Sequence, residues 1–192
     1  QGTARKDGFL CADGTLLHMP GAHQAVNLGC ALAVVENLRA QGFAIGADAV
    51  RRGIETARWD GRCQWRTDSL LIDGAHNPAG AQALARYVKT FVADRPVTLF
   101  FAAMRDKDID ACVSVLAPLA QHVVTTHIMP PRGESAESLA ARFAAHTRAQ
   151  VQPIPDAAQA LAAAQAHAAQ VGGVVVVCGS LYLAGFVLSQ PA

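Results

Sequence analysis

Apolar and polar residues follow two different patterns along this 192-residue chain, and the pattern changes close to residue 58. Before that point, two short apolar runs flank Asp13-Gly14, which is typical of a β-hairpin. Apolar residues three and four positions apart from Leu28 to Leu38 then predict a helix over residues 23–40, and a shorter repeat predicts a second helix over residues 47–56. Residues 1–57 supply too few elements for an independent domain, so we expect them to be the tail of a larger one.

After residue 58, apolar runs typical of buried strands alternate with helical patterns. Residues that favour helix starts stand before four of the helices, namely Asn77, Asp106, Ser135 and Asp156. Continuous apolar strands between helices predict an α/β fold with a mainly parallel, Rossmann-like sheet covered by helices on both faces. The predicted strands are residues 62–67, 69–72, 97–101, 122–126, 151–154 and 174–177.

Polar clusters follow three of the predicted strands. They run from Asp73 to Asn77, from Met104 to Asp108, and over Gly179-Ser180. Ligands of such sheets bind beyond the carboxyl ends of the strands. We therefore expect the three clusters to share one rim of the sheet.

The first cluster, Asp73-Gly74-Ala75-His76-Asn77-Pro78, offers several kinds of ligand contact. The carboxylate of Asp73 is suited to accept from a ribose hydroxyl or to help hold a metal, and His76 is suited to contact a carboxylate or a phosphate. Gly74 lets the backbone approach a ligand closely, and the free N–H groups of the following helix favour anions. The alternative is a plain strand-to-helix turn in which Asp73 and Asn77 are only caps.

Three further groups have both a functional and a structural interpretation. The amide of Asn27 supplies the donor and the acceptor that an adenine edge needs, but the segment around it also fits a capped surface helix. Arg62 suits a phosphate, although a single Arg in a connector is more often an ordinary surface residue. The segment from Met104 to Asp108 is either a ligand loop or a helix start capped by Asp106.

Composition and missing motifs exclude several classes of function. The formal net charge is +1 with no basic stripe, which argues against a nucleic-acid partner, and the lack of any run of about 18 apolar residues argues against a membrane span. The five cysteines form no C-x-x-C pair, so we expect reduced thiols in the cytoplasm rather than disulfides or a zinc site. The sequence contains no G-x-x-x-x-G-K-[ST] phosphate loop, and its seven histidines are scattered. We assign no metal ligand.

Taken in order, the polar segments resemble those of one family, the folylpolyglutamate synthases/dihydrofolate synthases of the Mur ligase superfamily. Each segment is weak by itself, but six in the same order over nearly the whole chain are specific. They are Gly21-Ala22-His23-Gln24 with Asn27, Gly61-Arg62, Asp73-Gly74-Ala75-His76-Asn77-Pro78, Asp106-Lys107-Asp108, Pro131-Arg132 and Gly179-Ser180-Leu181-Tyr182.

This resemblance implies an ATP-dependent ligase that forms an amide bond. ATP would phosphorylate a carboxylate of a folate or dihydropteroate, and the amine of L-glutamate would then displace the phosphate. By motif match, Asn27, Arg62 and Asp73 would bind ATP, whereas His76 and Ser180 would lie near the incoming glutamate. No residue is assigned as a catalytic acid or base, because positioning and charge stabilisation carry most phosphoryl-transfer catalysis.

The resemblance also implies a division of labour between domains. Residues 1–57 would end the central ATP-binding domain, and residues 58–192 would form the C-terminal glutamate ligase domain. The P-loop, most Mg²⁺ ligands and most of the pterin site would belong to a missing N-terminal ATPase part against which the chain packs. We therefore expect this chain to be a piece of a longer cytoplasmic enzyme and to be inactive by itself.

Two alternatives remain open from the sequence. Another ligase of the superfamily, acting on a UDP-muramoyl peptide or on cyanophycin, shares the general pattern, although His23-Gln24 and the Asp73 turn favour the folate branch. The second alternative is a non-catalytic α/β module that binds a nucleotide. Small departures from the family pattern, such as Asp60 where a proline commonly precedes Gly61-Arg62, bear on closing geometry and substrate preference.

Overall fold

The chain folds as two units, which the computed structural model divides between Arg62 and Cys63. The structure describes residues 2–92 and 94–191. Assignment of residues 1–57 and 58–192 to two domains of a larger enzyme stays a prediction.

The smaller unit begins with an antiparallel sheet of three short strands: β1 (Gly2–Arg5), β2 (Gly8–Cys11) and β3 (Leu16–Leu17). The predicted hairpin is the β2–β3 pair, and the side chain of Asp13 closes its turn by accepting from the backbone N–H of Thr15 at 3.0 Å. Gly14 has a φ of 85°, a conformation that a glycine adopts without a steric penalty. Strand β1 was not predicted, because its exposed sequence lacks apolar alternation.

Two helices complete the smaller unit, α1 (His23–Ala40) and α2 (Ala47–Thr56), which confirms both predicted helices. Much of α1 remains exposed: only Gln24 is buried, and the side chain of Val34 is 59% exposed. An apolar groove of ≈ 360 Å³ lies between the two helices. Its lining includes Leu28, Leu32, Ile45, Val50 and Ile54.

The larger unit is built on a six-stranded sheet. Its strands are β4 (Gln64–Thr67), β5 (Leu70–Ile72), β6 (Val97–Phe101), β7 (His122–Thr125), β8 (Gln150–Pro153) and β9 (Val174–Cys178). They lie in the order β4-β5-β9-β6-β7-β8. Within this sheet only the edge strand β4 runs antiparallel to its neighbour, so the prediction of a mainly parallel, Rossmann-like sheet is confirmed.

Five α-helices of the larger unit begin where polar side chains accept from free N–H groups. Asn77, Ser135 and Asp156 cap their helices as predicted. The prediction that Asp106 caps a helix was wrong: this helix begins at Ile109, so Asp108 occupies the cap and accepts from the Ala111 N–H at 3.1 Å. The helices are α3 (Pro78–Phe91), α4 (Ile109–Leu116), α5 (Ala136–Ala144), α6 (Ala157–Val171) and α7 (Leu181–Ser189), and a 3-10 turn covers Ala117–Leu119.

Helices on both faces bury the central strands completely. Val174 and Val176 of β9 belong to one apolar cluster, and Val175 and Val177 belong to the cluster on the other side of the sheet. Helices α3, α4 and α5 contribute to the first cluster, and α6 and α7 to the second. Burial on both sides explains why these strands are continuously apolar instead of alternating.

A pair of histidines lies at the amino-terminal edge of the sheet, away from the predicted rim. His122 is 3% exposed and stacks on His167 with ring centroids 4.1 Å apart. Nδ1 of His167 lies 2.9 Å from the hydroxyl of Thr98. Burial, and to a smaller degree the neighbouring His167, lowers the pKa of His122 below its usual 6.5.

This histidine pair predicts that acid destabilises the larger unit. Because the pKa of His122 is lower in the folded state than in the unfolded chain, the unfolded chain takes up a proton there more readily as the pH falls through about 6.5, so this site favours unfolding in acid. We expect His122→Gln to reduce the loss of unfolding free energy between pH 7 and pH 5 by on the order of 1 kcal/mol. Urea unfolding at several pH values measures this pH dependence of the unfolding free energy. His146→Gln, at an exposed position, is the control. Equal pH dependence in both variants would contradict the prediction.

Candidate functional site

Three polar clusters meet at the carboxyl edge of the larger sheet. Strand β9 lies between β5 and β6, so the residues that follow these three strands are neighbours. The N–H of Asp73 donates to Val177 O at 3.0 Å, and the N–H of Gly179 donates to Ala75 O at 2.7 Å. The structure therefore brings the Asp73 turn, Gly179-Ser180 and the segment after Phe101 onto one rim, as expected from the sequence.

The carboxylate of Asp73 is held from two sides. Its Oδ1 accepts from the backbone N–H of Ala75 at 2.8 Å, which closes the turn locally. Its Oδ2 accepts from the backbone N–H of Cys63 at 2.8 Å and lies 3.3 Å from the Cys63 thiol. Asp73 is half-buried, so these bonds fix its position at the edge of the rim. Sequence reasoning missed Cys63, since nothing in its local pattern indicates a partner ten residues away.

The ring of His76 is oriented by its own turn. Nδ1 lies 2.8 Å from the carbonyl oxygen of Gly74. A carbonyl only accepts, so Nδ1 carries the proton and Nε2 of the neutral ring acts as an acceptor. Asn77 accepts from the Gly80 N–H at 2.8 Å and starts α3, with Pro78 as its first residue. The turn thus combines the predicted helix cap with an imidazole ring whose orientation is fixed by a hydrogen bond.

Ser180 also has a structural task at the start of the last helix. Its side chain is buried, and its Oγ accepts from the Tyr182 N–H at 3.1 Å, which caps α7. The preceding Gly179 has a φ of 97°, and a Cβ there would lie 2.3 Å from Ala102 O. The strand β9, the glycine and the capped helix start are therefore packed without spare room.

Asn27 and Arg62 belong to the smaller unit, whereas Asp73, His76 and Ser180 belong to the larger one. Asn27 is exposed on α1, and its amide donates to the Gln24 side chain at 2.8 Å. Arg62 is also exposed and follows Gly61, whose φ is 70°. The roles assigned to all five residues stay predictions.

Several kinds of chemistry find no support in the residues that the structure describes. Among residues 2–92 and 94–191, no group of three or more His, Cys, Asp or Glu side chains is placed to hold a metal ion. Burial raises the pKa of the Cys178 thiol well above its usual range, and burial followed by the charge of Asp108 raises that of Cys112 to about 11. These two thiols therefore stay protonated near neutral pH and do not act as nucleophiles.

No helix in the described part of the chain is long and apolar enough to cross a membrane.

Comparisons with known proteins place this architecture among ligases. Residues 61–181 match the family model described as Mur ligase, glutamate ligase domain. The chain is 37% identical over 128 residues to the dihydrofolate synthase/folylpolyglutamate synthase of Mycobacterium tuberculosis, an alignment that covers 65% of this chain and 26% of that protein.

Two solved structures extend the comparison. The M. tuberculosis folylpolyglutamate synthase complexed with ADP superimposes with a TM-score of 0.87 at 28% identity, over 100% of this chain and 47% of the other. A bifunctional folylpolyglutamate synthase/dihydrofolate synthase with Mn, AMPPNP and L-glutamate bound gives a TM-score of 0.66 at 26% identity, over 79% and 36%. The chain thus spans less than half the length of each of these proteins.

Gly179 gives a direct test of how tightly the rim is packed. Alanine at this position meets both a positive φ and the Ala102 carbonyl, so we expect Gly179→Ala to lower the unfolding free energy by about 2 kcal/mol or more. Gly185→Ala is the matched control, because Gly185 lies exposed within α7 with nothing within 4 Å of its added Cβ. That variant should gain about 0.5–1 kcal/mol. Thermal unfolding followed by circular dichroism measures both, and equal stability of the two variants would contradict this packing.

Proposed function

The chain belongs to the Mur ligase family through its glutamate ligase domain, and from this membership we propose that it is part of an ATP-dependent ligase that joins L-glutamate to a folate or dihydropteroate carboxylate. The observation that carries the proposal is the rim of the larger unit. It brings together, within the span matched by the family, the Asp73 turn and the start of α7. The relatives named above support the folate branch, and a cytoplasmic location belongs to the same proposal.

The proposed reaction has two steps. The carboxylate oxygen of the folate or dihydropteroate attacks the terminal phosphorus of ATP, which forms an acyl phosphate and releases ADP. The amine nitrogen of L-glutamate then attacks the acyl carbon, the C–O bond to phosphate breaks, and an amide, phosphate and a proton leave. Such chemistry is dominated by positioning and by charge stabilisation, and the rigid rim of this chain is suited to positioning.

Nucleotide binding is proposed for Asn27, Arg62 and Asp73. The permanently charged guanidinium of Arg62 suits phosphate oxygens, and the fixed carboxylate of Asp73 suits a ribose hydroxyl. The solved relative that holds ADP supports a nucleotide as ligand. Mg²⁺, when bound, would neutralise phosphate charge, but the described residues offer no cluster for it. We therefore propose that the Mg²⁺ ligands belong to the additional part of the enzyme.

Glutamate binding is proposed for His76 and Ser180. His76 presents an imidazole acceptor toward the substrate ammonium. The buried Ser180 fits an indirect role, because its cap on α7 leaves the free N–H groups of that helix start directed at an anion. The solved relative with L-glutamate bound supports glutamate as the incoming substrate.

The smaller unit supplies the proposed contact with the ATPase part of the enzyme. Its groove is lined almost entirely by apolar side chains, and Val26, Val34, Phe43 and Trp59 are exposed elsewhere on the same unit. Exposed apolar surface of this extent marks interaction sites. The additional length of the relatives offers an occupant, so we propose that the ATPase part covers this groove and that the 192-residue chain alone does not turn over ATP.

Arg62 tests the proposed ligase function. In the enzyme that contains this chain, we expect Arg62→Gln to raise the KM for ATP about 10-fold or more, since charge-assisted hydrogen bonds contribute about 1.5–3 kcal/mol. The KM for ATP is obtained from assays of glutamate addition, with dihydropteroate and tetrahydrofolate compared side by side. The exposed Arg52→Gln removes the same charge and should leave KM unchanged. The proposal fails if neither substrate gains glutamate, and the role of Arg62 fails if the two variants behave alike.

Leu32 tests the proposed contact. This side chain lines the groove and is 37% exposed, so Leu32→Lys should change the stability of the isolated chain little. In the enzyme it would bury an unpaired charge, and we expect a loss of about 2 kcal/mol or more in unfolding free energy. Val171→Lys is the control, since Val171 is 42% exposed at the end of α6. An enzyme that tolerates both changes equally would rule out this contact.

A further inference from the structure

A buried amide lies at the start of α1. Gln24 is 0% exposed, and it is the buried residue of this otherwise half-buried or exposed helix. Its Nε2 is buried and finds no hydrogen-bond partner among residues 2–92 and 94–191. An enclosed donor without an acceptor is destabilising, because it has lost its hydrogen bonds to water. An apolar side chain of similar size would fill the same space without this cost, so packing alone does not account for a glutamine here.

The other end of the same amide group holds a second side chain. Oε1 of Gln24 accepts from Nδ2 of Asn27 at 2.8 Å. Residues three apart lie on the same side of a helix, which allows this contact. Asn27 is exposed, so the bond joins an enclosed amide to one that a ligand can reach.

The two amides are also the polar side chains of the apolar groove in the smaller unit. Among the described residues that line this groove, the others are apolar or glycine. Ligand sites typically combine apolar walls with a few placed polar groups that fix the orientation of the ligand. The side-chain hydrogen bonds that this groove can offer therefore come from Gln24 and Asn27.

The contact with Gln24 decides which way the Asn27 amide faces. An exposed Asn amide can otherwise turn about its last bond and exchange the places of its oxygen and nitrogen. A carbonyl oxygen only accepts, so Oε1 of Gln24 selects the orientation in which Nδ2 of Asn27 faces it. The packed surroundings of Gln24 hold the acceptor in place. Oδ1 and the second N–H of Nδ2 are then presented to a ligand in a fixed order.

We propose that Gln24 is a positioning residue that makes Asn27 selective for adenine. This role rests on the proposed function, which assigns Asn27 to ATP binding, whereas the fixed order of donor and acceptor follows from the contact with Gln24. Adenine presents an amino donor beside a ring-nitrogen acceptor, which matches Oδ1 and Nδ2 of Asn27. Hypoxanthine carries an oxygen in place of the amino group, and that oxygen would face Oδ1 with no proton between them. Gln24 itself would not touch the nucleotide.

Equilibrium binding of ADP and of inosine diphosphate to the enzyme that contains this chain tests the role of Gln24. Isothermal titration calorimetry gives both Kd values. We expect the unaltered enzyme to bind ADP about 10-fold or more tighter than inosine diphosphate. Gln24→Met should reduce this preference at least about 5-fold, mainly by weakening ADP, because the Asn27 amide is then free to turn. Gln24→Glu keeps an acceptor oxygen at the same place and should retain the preference.

Gln41 supplies the matched control. It forms a second Gln–Asn pair on α1, in which its Nε2 donates to Oδ1 of Asn37, but both of these side chains are exposed. Gln41→Met removes that pair and should leave the preference for ADP unchanged. The melting temperature of the 192-residue chain separates positioning from packing. Gln24→Met should leave it unchanged or raise it, since the change removes a buried donor that lacks an acceptor.

Three results would overturn the role of Gln24. They are equal binding of the two nucleotides by the unaltered enzyme, a preference for ADP that Gln24→Met retains, and an equal loss of preference in Gln41→Met. If Gln24→Met lowers the melting temperature of the enzyme but keeps the preference, the buried amide serves packing against the ATPase part instead. Failure of the proposed function gives a different result. In that case the enzyme adds no glutamate to either pterin substrate, while its preference for ADP still depends on Gln24.

Discussion

Strand β9 lies at the centre of the larger sheet and is buried on both faces, and the rest of the unit depends on that burial. Side chains of Val174–Cys178 pack alternately into the two apolar clusters, so none of them can carry a polar group without a cost of desolvation. Chemistry is therefore confined to the residues beyond the strand. Because β5 and β6 flank β9 in parallel, their polar continuations emerge at the same edge, and the site is a consequence of how the core is filled.

Main-chain bonds convert this shared edge into a fixed geometry. Gly179 donates to Ala75 O in the turn after β5, and the Asp73 carboxylate in that turn accepts from Cys63 ahead of β4. Each of these loops is thus tied to its neighbour rather than to solvent. Sites built on rigid elements hold their groups more accurately than sites on free loops. The close fit around Gly179 is the cost of that accuracy, since no larger residue has room there.

How much of this was predictable depends on the range of the interaction. The alternation of strands and helices, and the caps at Asn77, Ser135 and Asp156, follow from patterns within a few residues, and all were predicted correctly. Asp108 was missed because Asp106, two residues earlier, offers an equally good local cap signal, and only the packing of α4 decides where the helix begins. The contact of Cys63 with Asp73 is a tertiary pairing that no local pattern encodes.

Burial separates the candidate residues into two groups with different tasks. Ser180 is buried and Asp73 half-buried, and each accepts backbone N–H bonds that shape the rim. Asn27 and Arg62 of the smaller unit are exposed, so neither side chain is needed to fill an apolar core. Residues of the first kind fix the geometry of the rim, whereas residues of the second kind can change without loss of packing, and a role for them has to be sought in ligand contacts rather than in folding.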